Sequence, residues 1–90
     1  MFHVVVTPAV SRQLGRLVQN REALVRILTR LHDELSNHAG RYQPMRDADD
    51  PDYFIYTHGL YVGLRWHRFR FLVNDVQAQG YLFVESVRRE

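Results

Sequence analysis

Apolar residues recur at two different periods in the two halves of this chain. Between Pro8 and Asn37 they fall three and four residues apart; from Tyr53 onward they fall mostly on every second residue. The first spacing is that of a helix with one buried stripe, the second that of a strand with one buried face. With 90 residues and a 46% apolar share, the chain is long enough for one folded domain, residues 1–90, and no more. The two periods therefore have to be reconciled in a single core: an α+β domain in which helices cover one face of a sheet.

The elements follow from local chemistry. "FHVVVT" is a short β-branched run, so a strand is expected over Phe2–Val6. Thr7-Pro8 reads as an N-cap followed by a proline at the first helical position. The helix after it aligns Val10, Leu14, Leu17 and Val18 and should end near Val18. Asn20 can cap a second helix, in which Leu24, Leu28, Leu31 and Leu35 form the stripe and Val25 and Ile27 widen it. So few residues separate the two helices that they must form an antiparallel hairpin. Asn37 and Gly40 supply the stop. The polar stretch "HAGRYQPMRDADDPD" reads as a surface loop.

The strand half contains a change of phase. Val62, Leu64 and Trp66 share one parity; Phe69, Phe71 and Val73 share the other. A strand cannot change faces without a bulge or a turn, so the chain is expected to bend near His67-Arg68. "YFIYT" reads as a strand run ending in a turn or bulge at His58-Gly59. "LYVGLRW", "FRFLVN" and "YLFVESV" are further strand signals, and Asp75 to Gly80 reads as a turn. The expected order is β-α-α-β-β-β, with a small, largely antiparallel sheet and the helical hairpin on one face.

Composition narrows function by exclusion. There is no cysteine, hence no disulfide framework and no thiolate chemistry, which agrees with a cytoplasmic location. The start "MFHVVVTPAV" has neither the basic n-region of a signal peptide nor a membrane-length apolar run. Asp47, Asp49, Asp50 and Asp52 lack the glycine and closing glutamate of a calcium loop, and His3, His32 and His38 show no metal-ligand spacing. No metal and no cofactor is expected. All twelve basic residues are arginine, and the net charge is +2. Genomic base composition can produce that bias; the planar guanidinium also suits phosphate. By pattern alone, the arginines of "LRWHRFRFLVND" are the solvated side of a half-buried sheet; Trp66 suits a stack on an RNA base, but its parity with Val62 and Leu64 favours core packing.

Three stretches, in order, resemble the RelE/ParE superfamily of toxins from type II toxin–antitoxin pairs. "VVVTPAVSRQLGRL" is similar to the family's opening strand, threonine-proline step and helix. "LRWHRFRFLVND" is similar to its hairpin, in which an arginine ends one strand and an aromatic-arginine pair begins the next. "FVESVRRE" is similar to its last strand with a basic pair. The resemblance covers nearly the whole chain. It departs at Tyr61 and Gly63, where ribosome-dependent nucleases of the family usually carry lysines or a glutamate. The tyrosine that often follows the basic pair has no counterpart in a chain that stops at Glu90.

What the resemblance implies is an RNA-cleaving toxin, a metal-independent endoribonuclease in which the 2′-hydroxyl attacks the adjacent phosphate. It carries Arg70 and the Arg88/Arg89 pair over as the cations that steady the phosphate. Arg65 and Arg68 flank them as nucleic-acid contacts. His67, on the expected bend, is the best-placed base, with His58 second. The alternatives are a ParE-like toxin that binds DNA gyrase, which the departures at Tyr61 and Gly63 favour, or a non-toxic binding module of the same fold. Every toxin version implies a cognate antitoxin; the ribosome with its mRNA, or DNA gyrase, would be the target.

Overall fold

The computed structural model describes residues 2–38, 52–62, 64–76 and 80–90. The order is β1 (His3–Val6), α1 (Pro8–Leu17), α2 (Arg21–His38), β2 (Tyr53–Val62), β3 (Arg65–Val76) and β4 (Tyr81–Arg89). The four strands form one sheet in the order β1-β4-β3-β2. β1 runs parallel to β4, and the other two pairings are antiparallel. Both helices pack on one face: α1 lies chiefly against β4, and α2 reaches β1 and β2. This is the α+β architecture that the two apolar periods require. No helix among the described residues is long and apolar enough to cross a membrane.

The start of α1 is held to the sheet rather than capped. Pro8 takes the first helical position, but the Thr7 hydroxyl makes no cap. Instead, both the Thr7 amide and its Oγ1 donate to the Val84 carbonyl, at 3.2 and 3.1 Å. The β1–β4 ladder thus carries on into the helix. Asn20 does cap α2, its Oδ1 accepting from the Ala23 amide at 3.0 Å.

The stripe of α2 is rotated from the one the leucine spacing indicates. Ala23, Ile27, Leu31 and Leu35 are the buried row, Leu24 and Leu28 are half-buried, and Val25 is exposed. A strict four-residue repeat defines the contact line here, and the leucines at 24 and 28 sit on its shoulder. The sheet's inner face supplies Phe54 and Tyr56 from β2, Phe69, Phe71 and Val73 from β3, and Leu82, Val84 and Val87 from β4.

The bend is not at His67-Arg68. β2 runs unbroken through His58-Gly59 and β3 unbroken through His67-Arg68, with Tyr61 paired to Trp66 and Val62 to Arg65. The chain turns around Leu64, which is fully exposed. The phase change is real, but Leu64 and Trp66 never belonged to the core row. Leu64 sits in the turn and Trp66 on the outer face, 57% exposed. Asp75 lies within β3, paired with Leu82, rather than in a turn. Asp47, Asp49 and Asp50 lie outside the described residues, as does most of the expected surface loop.

A second irregularity sits in β4. Leu72 pairs with Ser86, but the next residue, Val73, pairs with Val84. Glu85 is therefore the extra residue of a β-bulge. Before it, Leu82 and Val84 point inward; after it, Val87 does.

With Ile27 fully buried and Val25 exposed, Ile27→Ala should lower unfolding stability by about 2–4 kcal/mol, and Val25→Ala should change it by less than about 0.5 kcal/mol. Denaturant midpoints of the two variants measure this directly. Equal losses would place the stripe elsewhere.

Candidate nucleic-acid interface

The pairing register sorts the arginines and histidines onto two faces. On β3, odd residues from Phe69 to Val73 are buried against the helices, so Trp66, Arg68, Arg70 and Leu72 line the outer, uncovered face. On β2, Ile55, Thr57, Gly59 and Tyr61 line the same face, opposite Leu72, Arg70, Arg68 and Trp66 in turn. On β4, beyond the bulge, Ser86 and Arg88 lie there, with Arg88 directly opposite Arg70. A shallow depression of about 210 Å³ is lined by Ile55, Arg70, Leu72, Ser86 and Arg88.

Glu90 tempers this cationic patch. Its Oε1 lies 3.2 Å from Arg70 Nε and its Oε2 lies 3.3 Å from Arg68 Nε. The Arg70 contact is an ion pair without hydrogen-bond geometry, so this buried Nε–H has no hydrogen-bond partner. A buried guanidinium N–H in that state favours an incoming anionic oxygen. Asn74 and Glu85 extend the polar part of the face, the amide donating to the carboxylate at 3.3 Å.

His67 and Arg89 belong to the other face. Arg89 pairs in register with buried Phe69, and its Nη2 donates to His67 Nδ1. Since a guanidinium only donates, Nδ1 must be the acceptor in this contact. The two residues form one wall of a cleft of about 620 Å³ that Arg16, Leu17, Val18, Gln19 and Asn20 complete at the α1–α2 connection. The six residues that the sequence singled out are therefore not one cluster. Arg68, Arg70 and Arg88 share the outer face. His67 and Arg89 lie across the sheet, and exposed Arg65 shares their parity at the start of β3.

His58, the second candidate base, is also on the inner face. Its Nδ1 is 3.3 Å from the Tyr56 hydroxyl. Burial lowers its pKa from the ordinary 6.5, Arg30 lowers it further, and Glu34 partly opposes them. Burial and Glu34 push Tyr56 up to about 12. Among the described residues, no three His, Asp or Glu side chains gather as metal ligands.

Sequence reasoning missed the parts of the site that depend on pairing. Ile55, Leu72 and Ser86 carry no chemical signature, and Glu90 meets Arg68 and Arg70 only because β4 runs back along β3. The chain matches none of the protein families, curated proteins or solved structures with which it was compared.

His58 has a lower pKa folded than unfolded, so the unfolded chain takes up its proton first. Its contribution to stability is complete above about pH 6.5 and is lost as pH falls through that value towards the folded pKa. Thermal or denaturant melts of His58→Gln should show a shallower loss of stability between about pH 7 and pH 5 than the parent chain. Identical pH slopes would mean that His58 is not buried as described.

Proposed function

We propose that this chain is the toxin component of a type II toxin–antitoxin pair, of the RelE/ParE kind, and that it acts on RNA through its outer sheet face. The observation that carries the reading is the Arg70–Arg88 pair, set side by side across β3 and β4 on the uncovered face. Two guanidiniums so placed can hold both non-bridging oxygens of one phosphate and offset the charge that builds up there. The element order and the helical layer on a single face agree with what the resemblance implies.

In the cleavage reaction, the 2′-oxygen attacks the adjacent phosphorus and the bond to the 5′-oxygen breaks. A 2′,3′-cyclic phosphate and a 5′-hydroxyl result. The 2′-hydroxyl loses a proton and the leaving 5′-oxygen gains one. Arg70 and Arg88 stabilise the pentacoordinate phosphorus between the two steps. With His67 across the sheet, solvent takes the 2′-proton and returns one to the leaving 5′-oxygen. The cognate antitoxin would lay an extended or helical segment over the same cationic face.

The position of His67 favours a second reading, a ParE-like toxin that binds DNA gyrase without cutting RNA. So do Tyr61 and Gly63 in place of the lysines or glutamate of the nucleases. Inhibition of gyrase supercoiling in vitro by micromolar protein would support it, and no inhibition would reject it.

Induced expression in a bacterial host distinguishes the readings. The parent chain should arrest growth with cleaved messenger. Arg70→Ala should relieve both and weaken binding to single-stranded RNA by roughly tenfold to a hundredfold, the loss of charge-assisted hydrogen bonds of about 1.5–3 kcal/mol. Full toxicity in a folded Arg70→Ala variant would remove Arg70 from the site.

A further inference from the structure

The outer face carries an aromatic end beside its arginines. Trp66 and Tyr61 are direct cross-strand partners near the turn of the β2–β3 hairpin, with ring centroids 5.0 Å apart at 64°. They are 57% and 64% exposed, far more than aromatic rings that serve a core. The indole does not project freely. It lies along β2 over Gly59, where a Cβ would collide with its Cζ2 and Cη2 atoms. Gly59 therefore provides the space in which the ring lies down, and Tyr61 braces the ring from the side. One broad surface of the sheet is left as a fixed aromatic plate.

Its neighbours decide what suits it. Arg68 and Arg70 follow Trp66 on the same face of β3 at intervals of two residues, about 6.6–6.8 Å each, and Arg88 stands opposite Arg70. A rigid aromatic plate next to a row of guanidiniums is the combination that holds unpaired nucleotides: the base stacks, and the backbone lies along the cations. We propose that Trp66, braced by Tyr61 and seated on Gly59, is a stacking platform for one unpaired base of single-stranded RNA. The adjoining phosphates lie on Arg68, Arg70 and Arg88. This deepens the reading of the outer face as the RNA-binding face and rests on it.

Trp66 is the sole tryptophan of the sequence, so tryptophan emission, excited selectively over the tyrosines, reports the platform alone. The full chain is titrated with a single-stranded oligoadenosine RNA of about ten nucleotides, within the usual site size, and with an abasic strand of equal length. Quenching by the first and not by the second is expected. By a label on the RNA, Trp66→Ala should bind roughly tenfold more weakly with an unchanged salt slope. Gly59→Val, which suits a strand but lifts the indole, should do the same while keeping the fluorophore. If the parent chain binds RNA with a steep salt dependence but Trp66→Ala binds equally well, the platform is refuted while the cationic reading stands. That outcome also covers a plate that serves a protein partner. If the parent chain binds neither strand, both readings fall.

Discussion

The bulge at Glu85 decides what each side of this sheet can do. β4 is the one strand bonded to neighbours that run in opposite senses, parallel to β1 and antiparallel to β3. Up to Val84 it alternates in step with β1. That ladder ends where the Val84 carbonyl receives both donors of Thr7. One extra residue then reverses the alternation. Without it, Ser86 and Arg88 would face the helices and Val87 would face solvent. With it, Val87 joins the core beside Phe71, Arg88 emerges next to Arg70, and Arg89 turns inward to His67. The one-residue slip thus decides which of two adjacent arginines stands on the outer face and which on the helical side.

This is also why the fold was more legible than the site. Periodicity alone carried the element order, the helical hairpin and the single covered face, because those depend on which residues can be buried. The N-terminus of α2 was readable from Asn20, a side chain whose role is local. The bulge was not. In "YLFVESVRRE", Val84 and Val87 are three apart, which breaks the period of two, but only the pairing with Leu72 and Val73 says where the extra residue sits. The phase change in "LRWHRFRFLVND" was a true signal with two physical solutions. A bend at His67-Arg68 keeps Leu64 and Trp66 in a core. A turn around Leu64 releases both to solvent, and packing against the helices selects the second. Trp66 depends on the same choice: its parity with Val62 and Leu64 favours the core, and the turn around Leu64 puts it on the outer face.

The outer face that results is graded along the strands. Aromatic rings lie at the hairpin end, guanidiniums with one shared carboxylate in the middle, and mixed apolar residues beyond. Such a surface is costly to leave uncovered, because among the described residues the buried Arg70 Nε–H has an ion pair but no hydrogen bond, and more than half of the Trp66 side chain meets solvent. Glu90 limits the cost by pairing with Arg68 and Arg70, and an incoming phosphate would compete with it for the same guanidiniums. The inner cleft at His67, Arg89 and Arg16 is a separate cationic place. Whether RNA engages the outer face or that cleft is the decisive question.

The salt dependence of single-stranded RNA binding answers it. Each phosphate neutralised contributes about −0.7 to the slope of log affinity against log salt. The double variant Arg70→Gln/Arg88→Gln, which loses the one phosphate the pair holds, should flatten the slope by about 0.7, and Arg16→Gln/Arg89→Gln should leave it unchanged. A flattened slope in the second variant with none in the first would place the nucleic acid on the helical side and contradict the account.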